Sequence, residues 1–61
     1  MDILKMDKNM FLSIVNMKLR DEFSDEKDLC SYYGVEVQDF YDKLKELSLI
    51  YDKNNNQIKN L

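Results

Sequence analysis

The sequence predicts a mainly α fold: a three-helix, helix-turn-helix-like bundle closed by a C-terminal β-hairpin, the outline of a miniature winged helix. Three observations carry this. Apolar residues recur at helical spacing in three successive stretches. The single glycine, Gly34, falls between the second and third of them. Near the end, the polar run Asp52-Lys53-Asn54-Asn55-Asn56 separates two short runs suited to strands. At 61 residues the chain makes one domain, 1–61, with no visible linker and no internal repeat.

The first helix is expected from Lys8 to about Glu22, after Asp7 as its N-cap. Phe11, Leu12, Val15, Leu19 and Phe23 fall on one broad face at 100° per residue and supply its core stripe. Met10, Ile14 and Met17 lie on an adjoining face, so this helix is apolar over more than half its circumference. The polar remainder is narrow: Asn9, Ser13, Asn16 and Arg20. A second helix is expected from Asp25 to Tyr33, capped by Ser24, with Asp25 and Glu26 suited to the positive end of the helix dipole. It would bury Leu29, Cys30 and Tyr33. Gly34 stops it, in the left-handed conformation that closes a Schellman-type cap. The third helix runs from about Glu36 to Leu47, with Val37, Phe40, Tyr41, Leu44 and Leu47 in one stripe. In the tail, Leu49–Tyr51 and Gln57–Lys59 form the arms of the hairpin. Asn and Asp tolerate the left-handed region its loop needs, and Tyr51 and Ile58 give each arm something to bury. The competing expectation is a frayed polar tail.

Composition narrows the function classes. Apolar residues make up 44% of the chain and charged ones 34%, which suits a folded globule rather than a disordered segment. A chain this short buries only about 60% of the surface its unfolded form exposes, so marginal stability is expected. No apolar run approaches the ~20 residues of a membrane span, and the start Met-Asp-Ile-Leu-Lys does not read as a signal peptide. A cytoplasmic protein is expected. The chain has one cysteine and no histidine, leaving no internal disulfide, no plausible zinc site and no expected metal or cofactor. Cys30 falls where packing calls for a small buried residue, so a core thiol is expected rather than a redox one. The Asp52–Asn56 loop lacks the carboxylates and glycine of an EF-hand. With no histidine and no glycine-rich loop, the carboxylates between Asp25 and Glu46 read as a solvated acidic face and not as acid–base machinery; an enzyme and a small-molecule substrate are not expected. Tyr32, Tyr33, Tyr41 and Tyr51 lack basic neighbours, and read as core and rim rather than as a stacking platform for single strands.

The order Leu29-Cys30, Gly34-Val35, Phe40 and Leu44 matches helix-turn-helix spacing. Leu29 is the apolar anchor and Cys30 the small residue at the helix approach. Gly34 permits the turn, Val35 plugs its corner, and Phe40 and Leu44 pin the second helix to the first. In a DNA reader, the outward side chains of that second helix meet bases and phosphates. Here they are Glu36, Gln38, Asp39, Asp42, Lys43, Lys45 and Glu46. The net charge is −3, and residues 23–47 hold seven acids against three bases. Carboxylates facing phosphates oppose docking. Only Lys53 and Lys59 beside three asparagines make a mildly basic surface.

The stretch Met10-Phe11-Leu12-Ser13-Ile14-Val15-Asn16-Met17-Lys18-Leu19-Arg20-Asp21 resembles the Leu-Ser…Asn-x-Lys-Leu-Arg-Asp run of a family of short bacterial proteins of unknown function. Leu29-Cys30, Tyr51-Asp52 and Asn56-Gln57-Ile58 echo the same family. Lys8 stands where that family usually has proline, and Leu49 where it has glycine. The resemblance implies a folded bacterial domain of this size and carries no activity with it; a phage origin fits as well. The function expected is therefore a small acidic binding module acting by protein–protein interaction, with a protein partner or a second copy. Met10, Ile14 and Met17 are its candidate partner face, unless the hairpin folds over them. Glu36, Asp39, Asp42 and Glu46 form its candidate acidic face. The alternatives are a winged-helix DNA-binding regulator and a phage or mobile-element inhibitor that imitates nucleic acid.

Overall fold

Short acidic side chains start two of the three helices. The structure, a computed structural model, describes residues 2–61. The Met10 N–H donates to Asp7 Oδ1 at 2.8 Å and opens α1 (Lys8–Asp21). The Asp28 N–H donates to Asp25 Oδ1 at 2.9 Å and opens α2 (Glu26–Tyr33). The sequence assigns that second cap to Ser24, and here the structure corrects it. Asp25 has the extended backbone (φ −160°, ψ 177°) that an N-cap requires, and its carboxylate is a stronger acceptor than a hydroxyl. Ser24 instead donates its hydroxyl to Asp28 Oδ2 at 2.6 Å.

Gly34 ends α2 in the left-handed region, at φ 68° and ψ 33°. The Val35 N–H reaches back to the Cys30 carbonyl at 3.0 Å, the long bond of a Schellman closure. Val35 then packs on the core. Next comes α3 (Val37–Glu46), whose N-cap Glu36 makes no side-chain hydrogen bond. Strands β1 (Leu49–Asp52) and β2 (Gln57–Asn60) pair antiparallel, with Tyr51 opposite Ile58 and Ile50 opposite Lys59. The loop between them turns on Asn56, at φ 53°. Three helices and a terminal hairpin are thus the architecture, and the layout fits a miniature winged helix.

The helices bury one stripe each, as their spacing predicts: Phe11, Val15 and Leu19 from α1, Leu29 and Cys30 from α2, Phe40 and Leu44 from α3. Phe11 and Phe40 meet at the centre, ring centroids 5.9 Å apart. Leu49 and Ile58 close the core from the hairpin, with β2 lying along α1 and β1 along α3. One contribution has no periodic signal. Ile3, in a 3-10 turn (Ile3–Lys5) ahead of α1, is fully buried, and Met6 nearly so. Three residues are too few to declare an amphipathic pattern.

Candidate functional site

The two flanks of α1 have different fates. On one, Asn16 meets the hairpin. Its amide nitrogen donates to the Ile58 carbonyl at 3.0 Å and its amide oxygen accepts the Ile58 N–H at 2.6 Å. Gln57 Nε2 adds a bond to the Asn16 carbonyl at 3.2 Å. Asn56 Nδ2 donates to the carbonyls of Leu19 and Phe23, both at 2.9 Å, where the end of α1 leaves acceptors free. Asn16 is therefore not part of a solvated polar stripe, as its spacing alone predicts, but the dock for the hairpin.

On the other flank, Met10 is 51% exposed and Met17 44% exposed. The hairpin does not cover them. Ile14, read from the sequence as the third member of this face, is half-buried and packs against the core. The expected face thus resolves into two exposed methionines with Ile14 as their floor. Lys18 and Glu22 pair at 2.5 Å one turn further along the helix.

Three of the four carboxylates expected on the acidic face come together on α3, alongside Lys43. Asp39, Asp42 and Glu46 line a shallow depression of about 260 Å³ together with Lys43 and Leu4 of the N-terminal turn. Glu36 is exposed but stays outside that depression, at the helix start. Two of these carboxylates are occupied: Asp42 accepts from Gln38 Nε2 at 3.0 Å, and Glu46 from Lys43 Nζ at 2.9 Å. Among the described residues, no group of three or more Cys, Asp or Glu is placed to hold a metal ion. The mildly basic surface of the hairpin is partly neutralised, because Lys59 Nζ sits 2.7 Å from Asp52 Oδ2. That contact, with the Asn55 amide and the Asn54 N–H, holds the Asp52 carboxyl down to about 2.

A polar network unmarked in the sequence lies beneath. Glu26 is 3% exposed, and its carboxylate accepts the Tyr41 hydroxyl. Tyr51 donates to Asn56 Oδ1 at 2.6 Å, which ties β1 to the residue that docks on α1. Burial first, and then the Glu26 carboxylate, push the hydroxyls of both Tyr41 and Tyr51 above their usual range. Burial also pushes the neighbouring Cys30 thiol up to about 11, so at neutral pH it is a protonated core side chain. In the sequence, Glu26 reads as a first-turn acid facing the helix dipole, and nothing local to it announces a tyrosine 15 residues away. Of the four tyrosines, Tyr32 is exposed and stacks against Phe23 and Tyr33, while the other three are half-buried.

These elements define the class: a mainly helical, helix-turn-helix-like domain with a C-terminal hairpin, with Asp39, Asp42 and Glu46 exposed on α3 beside two lysines, and Met10 and Met17 exposed on one flank of α1. The chain belongs to the DUF4250 family, a domain of unknown function, whose model matches residues 5–58. This agrees with the resemblance carried by Met10–Asp21. Neither the curated proteins nor the solved structures offer a match.

Proposed function

We propose that this protein is a small, non-enzymatic binding module of the cytoplasm that acts by protein–protein interaction, as a regulator or adaptor. Its partner surface is the Met10–Met17 flank of α1. One observation carries the reading: two flexible, polarisable methionines stand half-exposed on a flank the hairpin leaves open, while Asn16 ties the opposite flank down. Methionines recur on surfaces that accept other proteins, and exposed apolar patches mark such sites. The electrostatics support a protein partner over DNA, because α3 and its N-cap turn Glu36, Asp39, Asp42 and Glu46 toward solvent with no arginine among them.

The test is the double variant Met10→Glu, Met17→Glu. Both side chains are exposed, so circular dichroism is expected to stay helical. A partner captured by the wild-type chain from nuclease-treated source lysate is expected to be lost. Capture that vanishes on nuclease treatment, or that survives the double variant, overturns the proposal. The grouping of Asp39, Asp42 and Glu46 around one depression supports a second reading, an inhibitor that imitates nucleic acid. Under that reading, capture of a basic partner is lost on Asp39→Lys with Asp42→Lys and survives the methionine changes.

A further inference from the structure

Between the start of α2 and the hairpin lies a polar cavity of about 220 Å³, lined by Ser24, Asp25, Glu26, Lys27, Tyr51 and Lys53. Its floor is Glu26, which is 3% exposed. One carboxylate oxygen, Oε2, accepts the Tyr41 hydroxyl. Nothing among the described residues donates to the other, Oε1. Yet no buried side-chain polar atom among those residues lacks a partner. Oε1 is therefore not sealed in the core but opens on the cavity that Glu26 lines. The uncharged groups around it accept and do not donate. Ser24 gives its hydroxyl hydrogen to Asp28, and Tyr51 gives its own to Asn56. A hydroxyl whose proton is already placed offers only lone pairs. Asp25 commits Oδ1 to the Asp28 N–H and leaves Oδ2 without a donor. At the mouth stand Lys27 and Lys53, both exposed, and neither is in an ion pair among the described residues.

We propose that this cavity binds a small zwitterion: a primary ammonium with a carboxylate a few atoms away, the pair of groups an amino acid carries. An ammonium has three donors and no acceptor, which complements a floor made of acceptors alone. A carboxylate as buried as Glu26 holds such a cation with little water to screen the pair. The two lysines select the other end of the ligand. They repel a plain cation at the entrance and attract an anionic group there. Neither an anion alone nor a cation alone satisfies both ends. The size of the cavity limits the ligand further. Sites for drug-sized molecules start at about 300 Å³, and roughly seven waters fill the 220 Å³ found here, so the ligand has few heavy atoms. The site shares no residue with the methionine flank of α1. It calls for no reaction, and so adds a ligand to the binding module rather than a catalytic step.

Amide chemical shifts followed through a titration test it. With aminobutanoate as the probe, the Glu26, Lys27 and Tyr51 amides are expected to move saturably, with half-saturation at roughly 1 mM. Butylamine and butyrate each carry one of the two charges, and each is expected to bind at least about ten-fold more weakly. Glu26→Gln keeps an oxygen for the Tyr41 hydroxyl and removes the charge, so it is expected to stay helical and to lose the probe. Lys27→Met with Lys53→Met changes two exposed side chains, and is expected to reduce aminobutanoate to the affinity of butylamine. The wild-type comparison of the three probes decides whether or not the glutamine variant folds. Absence of a saturable shift up to about 100 mM overturns the proposal. So does equal affinity for butylamine, or retention of the probe by a folded Glu26→Gln. Tighter binding once the lysines are replaced also overturns it, since it marks them as plugs of the cavity.

Discussion

Gly34 isolates one physical effect. Its φ is 68°, and a Cβ built there would meet no atom within 4 Å. A side chain at this position therefore costs torsional strain and nothing else. Gly34→Ala is expected to cost about 1 kcal/mol, lowering the melting temperature by about 4–8 °C in a domain of this size. Gly34→Asn is expected to lose less, because asparagine tolerates the left-handed region, and Gly34→Val more. Thermal melts followed by circular dichroism rank the three, and an alanine variant that melts like wild type contradicts this account of the cap. Gly34 and Asp7 were legible in the sequence because each obeys a rule that spans three or four residues. The α2 cap was not, because Ser24 and Asp25 are both good cap residues and only the backbone angles choose between them. Asn16 was invisible for a different reason: its partner is 42 residues away, and a local pattern holds no record of it.

At the scale of elements, the decisive joint is between α1 and the hairpin. Beside the buried Ile58, side-chain amides make it: Asn16, Asn56 and Gln57 meet main-chain groups of the facing element. Asn16→Ala leaves the Ile58 N–H and C=O without partners, and is expected to cost about 1–3 kcal/mol. Asn16→Asp keeps the acceptor for the Ile58 N–H and sets a carboxylate against its carbonyl, so it is not expected to restore stability. Hydrogen exchange at the Ile58 amide reads the joint directly. If exchange there is unchanged in the alanine variant, the amide does not hold the hairpin. The helical stripes that build the core are plain in the sequence, since each recurs within its own helix. The split of the expected Met10, Ile14 and Met17 face is not, since Ile14 turns inward only once neighbouring elements approach it.

Across the whole molecule, charge and shape pull apart. The chain combines a helix-turn-helix-like layout with a net charge of −3, and Asp39, Asp42 and Glu46 stand exposed on α3. Binding to random duplex near physiological salt is expected to be no tighter than about 10⁻⁴ M. Asp39→Lys with Asp42→Lys takes the net charge from −3 to +1 and is expected to create measurable, salt-dependent affinity. Micromolar binding by the wild-type chain in a fluorescence anisotropy titration contradicts this. The bond between Asn16 and Ile58 also bears on how the protein comes into being. A ribosome delivers α1 long before residue 58, and until Ile58 emerges the amide that will hold it has no strand to meet. The flank of α1 around Asn16 therefore stays open until the residues of β2 have been made. Closing that joint spans 42 residues of chain, so it follows the local turns of the helices rather than leading them.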